Sequence, residues 1–136
     1  MSECLVDTSV WSIALRHKTA AQANPIVHEF EELIREMRVR MIGPIRQEVL
    51  SGIRDSRQFD LLKTRLRAFP DLLLSEQDFE RAAEIFNACR TAGIQGPNTD
   101  FLICAVAEGK GLSIFTTDRD FERYRKHAKF SLHLPR

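Results

Sequence analysis

Apolar positions along the chain fall into two kinds of pattern, and their succession predicts the elements. Cys4-Leu5-Val6, ending at Asp7, and Leu112 to Thr116 are short apolar runs without polar alternation, as in strands buried on both faces of a parallel sheet. Arg40-Met41-Ile42 and Leu72-Leu73-Leu74 are further strand candidates, and Phe130 to Leu134 alternates as an edge strand does. Between these runs the period becomes helical. The turn-prone Thr8-Ser9 leads to a short first helix carrying Trp11, Ile13 and Leu15. Asn24-Pro25 places a cap before a proline at the first helical position, ahead of Ile26, Phe30, Leu33, Ile34 and Met37. Pro44 opens a helix with Ile45, Val49 and Ile53, and Phe59, Leu62 and Leu66 mark the next. Ser75 and Asp78 read as a capping box before Phe79, Ala82, Ala83, Phe86 and Cys89 or Arg90, with Gly93 as the stop. After the turn at Gly96-Pro97, Asn98 or Thr99 caps the most apolar helix, Phe101 to Ala107. Asp118 to Lys126 is the last helix, with Phe121 and Tyr124 inward.

Strands alternating with helices imply an α/β fold, a three-layer α/β/α sandwich around a mostly parallel sheet. A length of 136 residues suits one domain spanning 1–136, with the Lys18–Ala23 connection as its nearest approach to a linker. Composition changes this picture mainly by exclusion. Lys and Arg total 20 against 19 Asp and Glu, so a basic field over the whole surface is ruled out and a polyanion must be gripped by local patches. No stretch of apolar residues is long enough to predict a membrane span, and the acidic Met-Ser-Glu start does not read as a signal peptide. Cys4, Cys89 and Cys104 are odd in number and set among apolar residues, which fits reduced thiols and a cytoplasmic location.

Ligands of parallel sheets bind beyond the carboxyl ends of the strands. Asp7 follows the first strand and Asp118 follows Leu112–Thr116 at the same end. Asp100 lies in the first turn of the apolar helix, and Glu48 lies in the helix that Pro44 opens. Carboxylates gathered there repel one another, and a hard divalent cation, Mg²⁺ or Mn²⁺, relieves that repulsion with oxygen ligands. Such an ion can polarise a phosphoryl oxygen and acidify a bound water, so phosphodiester hydrolysis is the natural chemistry. Taken singly, each acid has a plainer reading. Asp100 and Asp118 would stabilise helix N-termini, Asp7 would close an Asx turn with Ser9, Glu48 would face solvent, and Asp120 would complete a capping box with Thr117. Their shared end of the sheet is what favours a site.

Four segments then resemble, in order and spacing, a PIN domain of the VapC toxin type. They are Leu5-Val6-Asp7-Thr8-Ser9-Val10-Trp11, Gly43-Pro44-Ile45-Arg46-Gln47-Glu48-Val49-Leu50-Ser51-Gly52, Thr99 to Ala107, and Ile114-Phe115-Thr116-Thr117-Asp118-Arg119-Asp120-Phe121. The resemblance implies a Mg²⁺- or Mn²⁺-dependent endoribonuclease whose catalytic and metal-binding quartet is Asp7, Glu48, Asp100 and Asp118. It makes Thr116 the hydroxyl that orients a carboxylate or metal-bound water, Thr8 and Ser9 the polar turn after the first acid, and Asp120 an accessory to Asp118. It also implies a homodimer and a cognate antitoxin whose tail blocks the site. An antitoxin arginine near Asp7 and Asp100 is then expected, since arginine suits carboxylates.

Acids repel phosphate, so cations must flank them. Arg16, Arg46, Arg119 and Arg123 are the leading candidates for RNA contact, with His17, Lys18, Arg54, Arg57, Arg125 and Lys126 near them in sequence. Contacts of this kind give affinity and salt dependence, not sequence choice. The competing reading is a non-catalytic module of the same fold that docks RNA or protein. A phosphoacceptor domain is disfavoured, because Asp7 has no acidic neighbour.

Overall fold

A computed structural model describes residues 2–16 and 24–136. Among them lie four strands, β1 (Cys4–Val6), β2 (Val39–Arg40), β3 (Ser113–Phe115) and β4 (Ser131–Leu132). The helices are α1 (Thr8–Arg16), α2 (Pro25–Arg35), α3 (Gly43–Leu50), α4 (Ser56–Leu66), α5 (Glu76–Thr91), α6 (Asn98–Lys110) and α7 (Asp120–Tyr124). The strands form a sheet in the order β2-β1-β3-β4 with every pairing parallel. Helices flank this sheet, as the alternation of elements predicts. His17, Lys18 and the connection to Ala23 lie outside the described residues.

Local chemistry starts the helices where the sequence suggests. Asn24 Oδ1 accepts from the backbone N–H of Ile26 at 2.8 Å, with Pro25 at the first helical position of α2. Ser75 and Asp78 close a full capping box at α5. In α6 every residue from Asp100 to Ala107 is buried, so this helix lies inside the molecule, packed on α5, β3 and α7. Each large apolar side chain it hides contributes roughly 1.5–3 kcal/mol. Gly111 ends it in the left-handed conformation at φ 67°. Trp11 is core, meeting Phe30 and Phe69 edge-on at 4.7 and 5.2 Å.

Several expected boundaries move. Leu72-Leu73-Leu74 is not a strand: only Asp71 bridges Met41, and Leu73 is 89% exposed. The chain touches the sheet edge at one point and turns away to cap α5. β2 is Val39–Arg40 rather than Arg40–Ile42, because Ile42 already caps α3. α3 stops at Leu50, leaving Ile53 beyond it. Met37 leaves the stripe of α2 by adopting a left-handed φ of 58° and is 80% exposed. Phe79 faces outward on α5 at 54% exposure, while Ala82, Ile85 and Cys89 form the inner stripe. Pro97, without a side-chain bond, occupies the cap of α6 in place of Asn98 or Thr99. The last helix is shorter than Asp118–Lys126, since Asp118 turns the chain into it.

The last residues are tied down by charge. Glu29 on α2 is 1% exposed, and its carboxylate meets His133 and, at 2.9 Å, Arg136 Nε. Arg136 also grips Glu36 with two bonds of 2.8 and 2.7 Å. Burial alone would raise the Glu29 pKa; the bonds from His133 and Arg136 outweigh it and lower it.

Candidate active site

The register of the sheet builds the site. Val6 on β1 pairs with Phe115 on β3, so Asp7 and Thr116 leave the same edge side by side. The Asp7 N–H donates to the Phe115 carbonyl at 2.9 Å and carries the ladder one step beyond the strands. Asp7 is 7% exposed. Its Oδ2 accepts the Thr116 hydroxyl at 2.7 Å and the Ser9 hydroxyl at 2.8 Å. Both hydroxyls are held in turn: Thr116 Oγ1 accepts the Asp118 N–H at 3.0 Å, and Ser9 Oγ accepts the Thr117 N–H at 3.1 Å. One network thus joins the turns after β1 and β3. Asp7 and Ser9 meet through the Ser9 hydroxyl, not through the backbone N–H that the expected Asx turn would use.

Asp100 enters from the first turn of α6, 9% exposed. Its Oδ2 accepts the hydroxyl of the buried Tyr124 at 2.9 Å. Burial pushes the Asp100 carboxyl up to about 7, with the charges of Asp7, Asp118 and Glu48 adding to the rise and the Tyr124 bond opposing it. All three other acids therefore act electrostatically on Asp100. Glu48 on α3 is exposed over much of its side chain, yet partial burial of the carboxyl, and next the Asp7 charge, raise its pKa. The nearby Thr8 hydroxyl partly offsets that rise, although Thr8 Oγ1 is buried without a partner in hydrogen-bonding geometry. Asp118 Oδ1 accepts the Asp120 N–H at 2.9 Å, while Asp120 pairs with Arg123 at 3.2 Å. The Asp118 backbone and side chain thus do the turning work expected of Thr117.

The donor set suits a hard cation. Among the described residues it consists of carboxylates and hydroxyls, and Thr8 Oγ1 is a buried oxygen without a hydrogen-bond partner beside it. Among the described residues, no three His, Cys, Asp or Glu side chains stand close enough to enclose an ion unaided. Mg²⁺ does not require that, since it keeps several waters and takes one or two carboxylates directly.

The candidate cations divide. Arg16, at the end of α1, and Arg119, just before α7, are exposed, and Arg123 is exposed beside Asp120. Arg46 is committed elsewhere: it pairs with Asp71 at 2.9 Å and donates to the carbonyls of Leu66, at 3.0 Å, and of Phe69. These bonds make Arg46 a clamp between α3 and the loop after α4. Sequence reading treats Tyr124 only as inward packing. A buried phenol needs a hydrogen-bond partner, and that was the available signal.

The profile of the PIN domain family matches residues 4–127. The chain belongs to the PIN domain family. Among curated relatives of this PIN domain chain, "VapC ribonuclease Mb1587" of Mycobacterium bovis is 34% identical over 123 residues, covering 87% of this chain and 88% of the relative. "Ribonuclease VapC11" of Mycobacterium tuberculosis matches with the same identity and coverage. The fold is shared with the crystal structure of DNA-bound VapBC from Salmonella typhimurium, at TM-score 0.77, 17% identity and 98% coverage of both chains. FitAcB from Neisseria gonorrhoeae aligns at TM-score 0.75, 22% identity and 97% coverage of both chains.

Proposed function

We propose that this PIN domain chain is a divalent-metal-dependent endoribonuclease acting as the toxin of a toxin–antitoxin pair. The observation that carries the reading is the gathering of Asp7, Glu48, Asp100 and Asp118 at one edge of a parallel sheet, with their charges felt at Asp100. Relatives named as ribonucleases support the reaction type. Of Asp7, Asp100, Asp118 and Glu48, one or two would hold Mg²⁺ or Mn²⁺ directly and the others through its waters; when bound, the ion polarises a phosphoryl oxygen and acidifies a water.

The chain's own residues do the rest. Thr116 and Ser9 commit one oxygen of Asp7 and fix its carboxylate plane. Tyr124 does the same for Asp100. Arg16, Arg119 and Arg123 supply positive charge for RNA phosphates, giving grip without base choice. An antitoxin tail carrying arginine would meet the same acids and close the cleft. A homodimer completes the proposed assembly.

The test is cleavage of a mixed RNA pool by the purified chain with Mg²⁺, with Mn²⁺ and with chelator. Cleavage is expected only with metal, and Asp7→Asn or Asp100→Asn is expected to lower it about 10²–10³-fold. Full activity in both variants would leave the non-catalytic docking module as the better reading.

A further inference from the structure

Asp100 is oriented by a contact that neither its helix nor the sheet supplies. Tyr124 comes from α7, is 0% exposed, and spends its hydroxyl on Asp100 Oδ2 at 2.9 Å. Its ring is wedged between Phe101 at 4.9 Å and Phe121 at 5.1 Å, so the hydroxyl has little room to wander. Passage to Asp100 runs beside Gly96. A methyl group on Gly96 would stand 2.2 Å from the Tyr124 hydroxyl oxygen and 3.0 Å from its ring carbon. The φ of Gly96 lies outside the left-handed region, so space is what the position requires of this residue. The aromatic wedge, the missing side chain and the single phenol bond all converge on one carboxylate.

We propose, on the footing of the metal-dependent reading above, that Tyr124 is a positioning residue that holds Asp100 ready for the ion, with Gly96 providing its clearance. A carboxylate at the first turn of a buried helix has more than one rotamer, and the phenol selects one by engaging Oδ2. The other oxygen is then presented in a fixed direction, and the ordering cost of binding is already met before the ion arrives.

The experiment measures Mn²⁺ affinity of the full-length chain by electron paramagnetic resonance titration, below the unfolding temperature, for wild type, Tyr124→Phe, Gly96→Ala and Asp100→Asn. Tyr124→Phe removes one oxygen and keeps the wedge, so it remains folded by circular dichroism even where Gly96→Ala does not. The expected result is Mn²⁺ affinity weakened about 10-fold or more in Tyr124→Phe, with the Mg²⁺ needed for half-maximal RNA cleavage rising in step. A folded Gly96→Ala shows the same shift. Wild-type Mn²⁺ affinity in Tyr124→Phe, with affinity lost in Asp100→Asn, overturns the role of Tyr124 alone. Equal Mn²⁺ binding by wild type and Asp100→Asn overturns the metal reading and this role together.

Discussion

Asp7 Oδ2 takes hydroxyl bonds from both Ser9 and Thr116, and only Thr116 also receives the Asp118 N–H. Thr116→Val keeps the shape while removing a donor to one acid and an acceptor from the turn that carries another. Single-turnover RNA cleavage is expected to fall about 10–100-fold, and less in Ser9→Ala, where Thr116 still holds Asp7. Asp100 adds a pH signature. Its folded pKa of about 7 exceeds the ordinary 3.8, mainly through burial and then through the neighbouring acids. Between those values the folded protein keeps a proton that the unfolded chain has released, so the Asp100 contribution to metal-free stability is full at the acid end and falls as pH rises towards 7. Mg²⁺ must displace that proton, so the gain in Tm on adding Mg²⁺ is expected to grow from about pH 6 to about pH 8. A constant gain across that range would place Asp100 outside the ion's reach. Asp7, Asp118 and Asp100 stood out in the sequence because they lie at strand ends and in a first turn, whereas Glu48, well inside α3, reads from position alone as a solvated helix face. The Tyr124 bond was not legible, since it joins two helices whose relative placement only packing decides.

Helix α3 carries a basic residue whose charge is already engaged within the fold. Arg46 stands two residues before Glu48, yet its guanidinium closes the loop after α4 through Asp71 and the Leu66 and Phe69 carbonyls. Arg46→Ala is expected to cost about 1.5–3 kcal/mol in urea unfolding while leaving RNA affinity, measured in chelator, unchanged. Arg119→Ala is expected to do the reverse: unchanged stability, weaker binding, and a salt slope shallower by about one. The same contrast separates elements the sequence shows from those it conceals. Caps such as Asn24 with Pro25, or Ser75 with Asp78, are fixed by neighbours a few residues away and were readable. Leu72-Leu73-Leu74 has strand composition, but a strand needs a partner along its length, and here one bridge at Asp71 is all the edge provides.

Parallel order β2-β1-β3-β4 places the two turns of the site side by side and puts β4 at an edge. That edge strand is short, and the Glu29–His133–Arg136 cluster binds the chain after it to α2. His133 also lies edge-on to Phe115 at 5.4 Å, and its N–H extends the ladder to Ile114. His133→Ala is expected to lower stability by about 1.5–3 kcal/mol and to speed amide exchange at Ser131 and Leu132, with RNA cleavage retained below the unfolding temperature. The layered α/β architecture was legible from the alternation of elements, whereas this cluster was not, because a buried glutamate looks like any helix-face acid until its distant partners arrive. The pairing of β1 with β3 has one more consequence. Asp7 and Thr116 meet across 109 residues of chain, and Asp118 follows Thr116 closely. A growing polypeptide on the ribosome therefore lacks the assembled carboxylate cluster until β3 has been made, and a chain stalled before Ser113 is expected to show no metal-dependent cleavage of RNA.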